Sequence, residues 1–66
     1  MQFQVTIDCN NAAFIDENGD ISYSPEVARI LRSLADTVER NATIDFEATL
    51  QDINGNSVGK AVIVRD

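Results

Sequence analysis

The chain has 66 residues, five Lys and Arg against eleven Asp and Glu, and a formal net charge of −6. So short a chain makes one domain with a small core. With no histidine and one cysteine, it cannot assemble a Ser-His or Cys-His pair, an internal disulfide framework or a nitrogen-ligated metal site, and its acidity disfavours direct binding of nucleic acid.

Residues 2–8 alternate strictly and predict a half-buried strand, with Phe3, Val5 and Ile7 inward and Gln4, Thr6 and Asp8 outward. There is no basic segment or continuous apolar run to make a signal peptide. No window approaches the about 18 apolar residues of a membrane span, and the single Cys9 suits a reducing compartment. The expectation is a soluble, cytoplasmic protein.

Residues 9–23 form one long connection, in which Asn18-Gly19 marks a turn and Phe14, Ile15, Ile21 and Tyr23 fold over the edge of the core. A helix is predicted over 25–40. Val27, Ile30, Leu31, Leu34, Ala35 and Val38 recur with the 3.6-residue period. Ser24 stands as N-cap, Pro25 opens the first turn, Glu26 meets the positive end of the dipole, and Asn41 is placed as a left-handed terminator. Arg32, Asp36 and Arg40 are spaced four apart along the wet face.

A second strand is expected over 43–51, with Ile44, Phe46, Ala48 and Leu50 inward, then a turn at 52–56 built on Asn54-Gly55. The last strand spans 57–65. Its two faces are both apolar, as suits the middle of a sheet, and Gly59 marks a bulge that switches the facing after Val58.

The order strand–helix–strand–strand predicts an α+β fold: a small β-α-β-β domain, its three-stranded antiparallel sheet in order 1-3-2 with one helix packed on one face. The other face, carrying Gln4, Thr6, Asp45, Glu47, Thr49 and Gln51, is then open to water.

Charge is unevenly placed. Three acids and three arginines between Ser24 and Asn41 cancel, so the whole net charge lies on strands and loops. Asp45 and Glu47 could pair as general acids only if burial raised a pKa, which an open sheet does not do. We therefore expect no enzyme and no cofactor. Asp16, Asn18 and Asp20 fit the first oxygen positions of a calcium loop, but Ile21 stands where the sharp turn needs glycine, and Val27 where it needs a bidentate acid. The sharper expectation is a protein partner. Asp8, Asp16, Glu17, Asp20, Asp45 and Glu47 would present carboxylates to a basic groove in the manner of nucleic acid.

Val5-Thr6-Ile7-Asp8, Asn11-Ala12-Ala13-Phe14, Glu26-Val27-Ala28-Arg29-Ile30-Leu31-Arg32 with Leu34-Ala35-Asp36, and Leu50 through Gly59 resemble a family of small phage and prophage proteins without an assigned activity. The helix and the Asp-x-Asn-Gly-Asn-x-Val-Gly segment carry most of that resemblance. The family pattern has an aromatic within two residues of the Val-Gly pair, where this chain has Lys60 and Ala61. The resemblance implies a phage-encoded accessory protein with no catalytic residues to transfer. By analogy of size, charge and origin, it points to an inhibitor of a host protein, of the anti-CRISPR type, acting on a nucleic-acid-binding defence complex. The alternative is a small assembly module, a homodimer formed through a strand edge, whose acidity serves only solubility.

Overall fold

Alternation of apolar and polar residues makes β1 (Gln2–Ile7) a strand in the computed structural model, which describes residues 1–41 and 43–65. A 3₁₀ turn (Ala12–Phe14), the helix α1 (Ser24–Asn41) and the strands β2 (Glu47–Gln51) and β3 (Ser57–Val64) follow. The sheet is antiparallel in order β1-β3-β2. The α+β fold and the strand order expected from the sequence are those observed.

Pairing sets the two faces. Phe3, Val5 and Ile7 lie opposite Ile63, Ala61 and Gly59, and Ala48 and Leu50 lie opposite Ala61 and Gly59, so these residues share the helix side. Gln4 and Glu47 flank Val62, and Thr6 and Thr49 flank Lys60, on the open side. The core is Phe14, Ile30, Leu34, Phe46, Leu50, Val58 and Ala61. Phe14 is fully buried, which contributes about 1.5–3 kcal/mol. It comes from the long connection and packs where α1 meets the 3₁₀ turn.

Several boundaries differ from expectation. The helix begins one residue early, because the Tyr23 carbonyl accepts the first helical bond, from Val27 N–H (2.9 Å); Ser24 is inside the helix rather than its cap. Asn41 is helical too, and no described non-glycine residue has positive φ. Within the last turns of α1, Arg40 Nε donates to the Asp36 carbonyl at 3.3 Å. The second strand starts at Glu47, not 43. Thr43 closes a turn onto Asp45 and Phe46, which leaves Ile44 exposed.

The connection 9–23 is more ordered than a loop. Asn11 caps the 3₁₀ turn by accepting from Ala13 N–H (3.1 Å), and Ile15 bridges Ile21 across a small hairpin. Only Phe14 of its four large apolar residues enters the core; Ile15, Ile21 and Tyr23 stay exposed.

The switch of facing in β3 comes from Val58. Leu50 pairs with Gly59 but Gln51 with Ser57, so Val58 is the extra residue, and it turns into the core. Gly59 answers a different demand. A Cβ there would sit 1.9 Å from the Thr6 carbonyl oxygen, inside the backbone of β1. Gly59→Ala is therefore expected to cost at least about 3 kcal/mol in urea denaturation. Gly55→Ala, where φ is +84° with open space around it, is expected to cost about 1–2 kcal/mol. Equal costs would contradict the close approach.

Candidate functional site

Two five-residue segments, Asp16–Asp20 and Asp52–Asn56, fold on one plan. In each, the leading aspartate's Oδ1 accepts two backbone N–H groups: Asn18 (2.9 Å) and Asp20 (3.0 Å) in the first, Asn54 and Asn56 (both 2.9 Å) in the second. The aspartate carbonyl accepts from the glycine three residues on, and its N–H donates to the carbonyl four residues on. Gly19 and Gly55 take φ of +82° and +84°, a conformation that disfavours a Cβ. Asp, Asn and Gly recur at these spacings because an Asx side chain can replace backbone partners in a turn.

The turns differ in what the second carboxylate oxygen does. Asp16 is exposed. Asp52 is buried, and its Oδ2 accepts from Asn11 Nδ2 (2.7 Å) and Asn56 Nδ2 (3.1 Å). Beside it, buried Glu26 accepts at Oε1 from Arg29 Nε (2.6 Å) and at Oε2 from Arg29 Nη2 (3.2 Å) and Ile53 N–H (2.7 Å). Arg29 Nη2 also donates to the Gln51 carbonyl (3.0 Å). One polar network thus joins the connection, the first turn of α1 and the β2–β3 turn.

Both carboxyls are held below their ordinary pKa. Burial pushes Asp52 up, but hydrogen bonds from the Asn56 backbone and side chain, the Asn11 amide and Asn54 N–H outweigh it. For Glu26 the hydrogen bond from Arg29 leads, opposed by burial and reinforced by Ile53 N–H. The same bond raises Arg29. These are permanent anions at neutral pH, the reverse of what a general acid needs. The network holds the fold together.

The acids expected to form one partner surface fall into two groups. Asp8 N–H donates to Val58 O (2.6 Å) at the end of the sheet where α1 begins, and the Asp16–Asp20 turn adjoins Pro25, Glu26 and Ile53 at that same end. Asp45 and Glu47 lie at the other end, Glu47 opposite Val62. Val62 is four residue steps along β3 from Val58, about 13 Å. Between the groups, Lys60 occupies the middle of the open face. Asp45 precedes β2 and meets Arg65 at 3.5 Å, both exposed, a pair worth little. The open face is therefore not a continuous acidic sheet; the acidic surface is the loop end, with Asp8, Asp16, Glu17 and Asp20 all exposed.

Asp16, Asn18 and Asp20 do meet, but through the backbone amides that Asp16 organises. Among the described residues no group of three or more His, Cys, Asp or Glu converges to hold a metal. Sequence reasoning missed the Glu26–Arg29–Asp52 network, having read Glu26 as a dipole partner and counted Arg29 only in the charge balance of the helix. The repeated Asp-x-Asn-Gly, at 16–19 and again at 52–55, marks the two turns but not the network, which rests on contacts from Asn11 and Glu26.

The sign of the pH dependence follows. Because both carboxyls titrate lower folded than unfolded, their stabilisation is complete above the unfolded values of about 3.9 and 4.3 and is lost as pH falls through the folded ones. The melting temperature should hold from pH 7 to about 5 and fall below about 4. Asp52→Asn should melt lower at pH 7 and decline less steeply on acidification. Parallel declines would contradict this role for Asp52.

No family model, curated protein or solved structure matches the chain.

Proposed function

We propose that this chain is a non-enzymatic accessory protein that binds a basic surface of another protein through its loop end. The observation that carries the reading is the grouping of Asp8, Asp16, Glu17 and Asp20, all exposed, at the end of the sheet where α1 begins. Arg29, which lines the same hollow as Asp16, is engaged by Glu26; Lys60 stands opposite Thr6 on the open face, and Arg65 faces Asp45 at the opposite end. The loop end therefore projects negative charge, which speeds encounter with a cationic groove and makes the complex salt-sensitive.

A groove that handles nucleic acid is the partner class such a surface suits, since carboxylates there take the place of phosphates. Taken with the resemblance to phage proteins, the reading is an inhibitor that occupies a host nucleic-acid-binding complex. Its reach is confined to the loop end; Asp45 and Glu47 lie outside it.

Tagged protein, exposed to host lysate at low salt and eluted along a salt gradient, should retain a nucleic-acid-handling complex and release it at moderate salt. Glu17→Lys/Asp20→Lys should abolish retention, whereas Asp45→Lys/Glu47→Lys should leave it nearly unchanged. Asp16 is spared in these variants because its carboxylate builds the turn. Absence of a salt-released partner, or retention by the loop variant, would overturn the proposal.

A further inference from the structure

The two edges of the sheet are unequal. β2 is short, opens with Glu47 and ends in a register shift between Leu50 and Gln51, features that blunt an edge against pairing. β1 has six residues, Gln-Phe-Gln-Val-Thr-Ile, with no charge, no proline and a continuous register against β3. Nothing in β1 discourages another strand.

Its exposed backbone groups can be assigned. Asp8 N–H donates to β3 at Val58, so by antiparallel alternation Thr6, Gln4 and Gln2 also bond inward to β3. The N–H and C=O groups of Phe3, Val5 and Ile7 then point to the free edge. The side chains of these same residues face the helix side, yet Phe3 and Val5 are 43% and 38% exposed. α1 packs against β2 and the 3₁₀ turn, and leaves a largely apolar groove beside β1 lined by Phe3, Leu31, Leu34, Ala35 and Val38, with Glu39 as its one charged residue.

The molecule has more surface than its mass requires. A compact 7.2 kDa chain exposes about 4,100 Å², against 4825 Å² here. Its radius of gyration is 13.0 Å, where about 11 Å is usual for this length. The excess, about 700 Å² by that comparison, is close to the about 800 Å² each partner buries in a stable interface.

We propose that β1 pairs antiparallel with β1 of a second copy about a two-fold axis through Val5. That register uses every outward backbone group: Val5 pairs with the partner's Val5, and Phe3 with the partner's Ile7. On the open face it sets Gln4 opposite the partner's Thr6, so a chain of net charge −6 meets itself with no like charges across the seam. The sheet becomes six-stranded, with both helices on one side and the two apolar grooves merged between them. This surface is separate from the acidic loop end.

Sedimentation of the full chain across micromolar concentrations should give twice 7.2 kDa. Val5→Lys sets two ammonium groups side by side at the axis and should raise the dissociation constant at least about tenfold. Because that variant could also unfold, a second arm uses Val5→Cys in a Cys9→Ser background. Hydrogen-bonded antiparallel pairs hold Cα atoms about 5.5 Å apart, within disulfide range, so mild oxidation should crosslink it to dimer, while Glu47→Cys in the same background stays monomeric. Glu17→Lys/Asp20→Lys should dimerise normally, which separates this test from that of the loop end. A monomer at every concentration, or a dimer neither weakened by Val5→Lys nor crosslinked through Val5→Cys, would overturn the proposal; a monomer would leave the edge to a strand of another protein.

Discussion

The carboxylate of Asp52 is the point on which the remaining structure depends. A buried anion is costly unless it is fully hydrogen-bonded, and Asp52 meets that condition with donors from Asn54, Asn56 and Asn11. Three donors, Asn54 N–H and the Asn56 N–H and side-chain amide, belong to its own turn and define the β2–β3 connection. The fourth belongs to Asn11, which also caps the 3₁₀ turn that delivers Phe14 into the core. Glu26, bonded to Ile53 N–H, then locks the first turn of α1 onto the same hairpin. In a domain with so few buried apolar residues, this polar centre supplies connections that a larger core would supply by packing.

Much of this was legible because the relevant patterns are local. The stripe from Val27 to Val38 is a helix in any context, and strict alternation in β1 makes a strand. A β3 apolar on both faces belongs at the centre of the sheet, which yields the order β1-β3-β2. What was not legible is set by contacts between distant segments. No periodicity distinguishes Asp52 from Asp16, since both head the same turn; burial by Asn11, 41 residues away, makes one structural and leaves the other a surface acid. Likewise Phe14 looked no different from Ile15 or Ile21. Because α1 packs over β2 and the 3₁₀ turn, Phe3, Val5 and Leu31, all patterned as core, remain partly exposed.

The Asp-x-Asn-Gly-Asn-x-Val-Gly segment therefore has a physical reading residue by residue. Asp52 collects the donors, Gly55 takes the positive φ, Asn56 donates twice to Asp52, Val58 turns into the core, and Gly59 admits the backbone of β1. In this chain the segment acts as a determinant of the fold. The surfaces are of two kinds: a loop end that is negative, with Ile15, Ile21, Tyr23 and Ile53 exposed beside its acids, and an uncharged strand edge beside a largely apolar groove. The first suits reversible, salt-dependent attachment to a cationic surface; the second suits a persistent contact made by backbone pairing and apolar burial. A two-fold arrangement would present two acidic loop ends from one particle and so strengthen attachment to a partner with repeated sites.

The central claim is that the Asp52 network is as stable as the fold itself, and amide hydrogen exchange tests it most directly. The account predicts that the N–H groups of Ile53, Asn54 and Asn56, although they lie in a surface turn, exchange as slowly as those of Ile30 and Leu34 in the buried face of α1. Fast exchange in the turn, with the helix still protected, would show the turn opening independently and would contradict the claim.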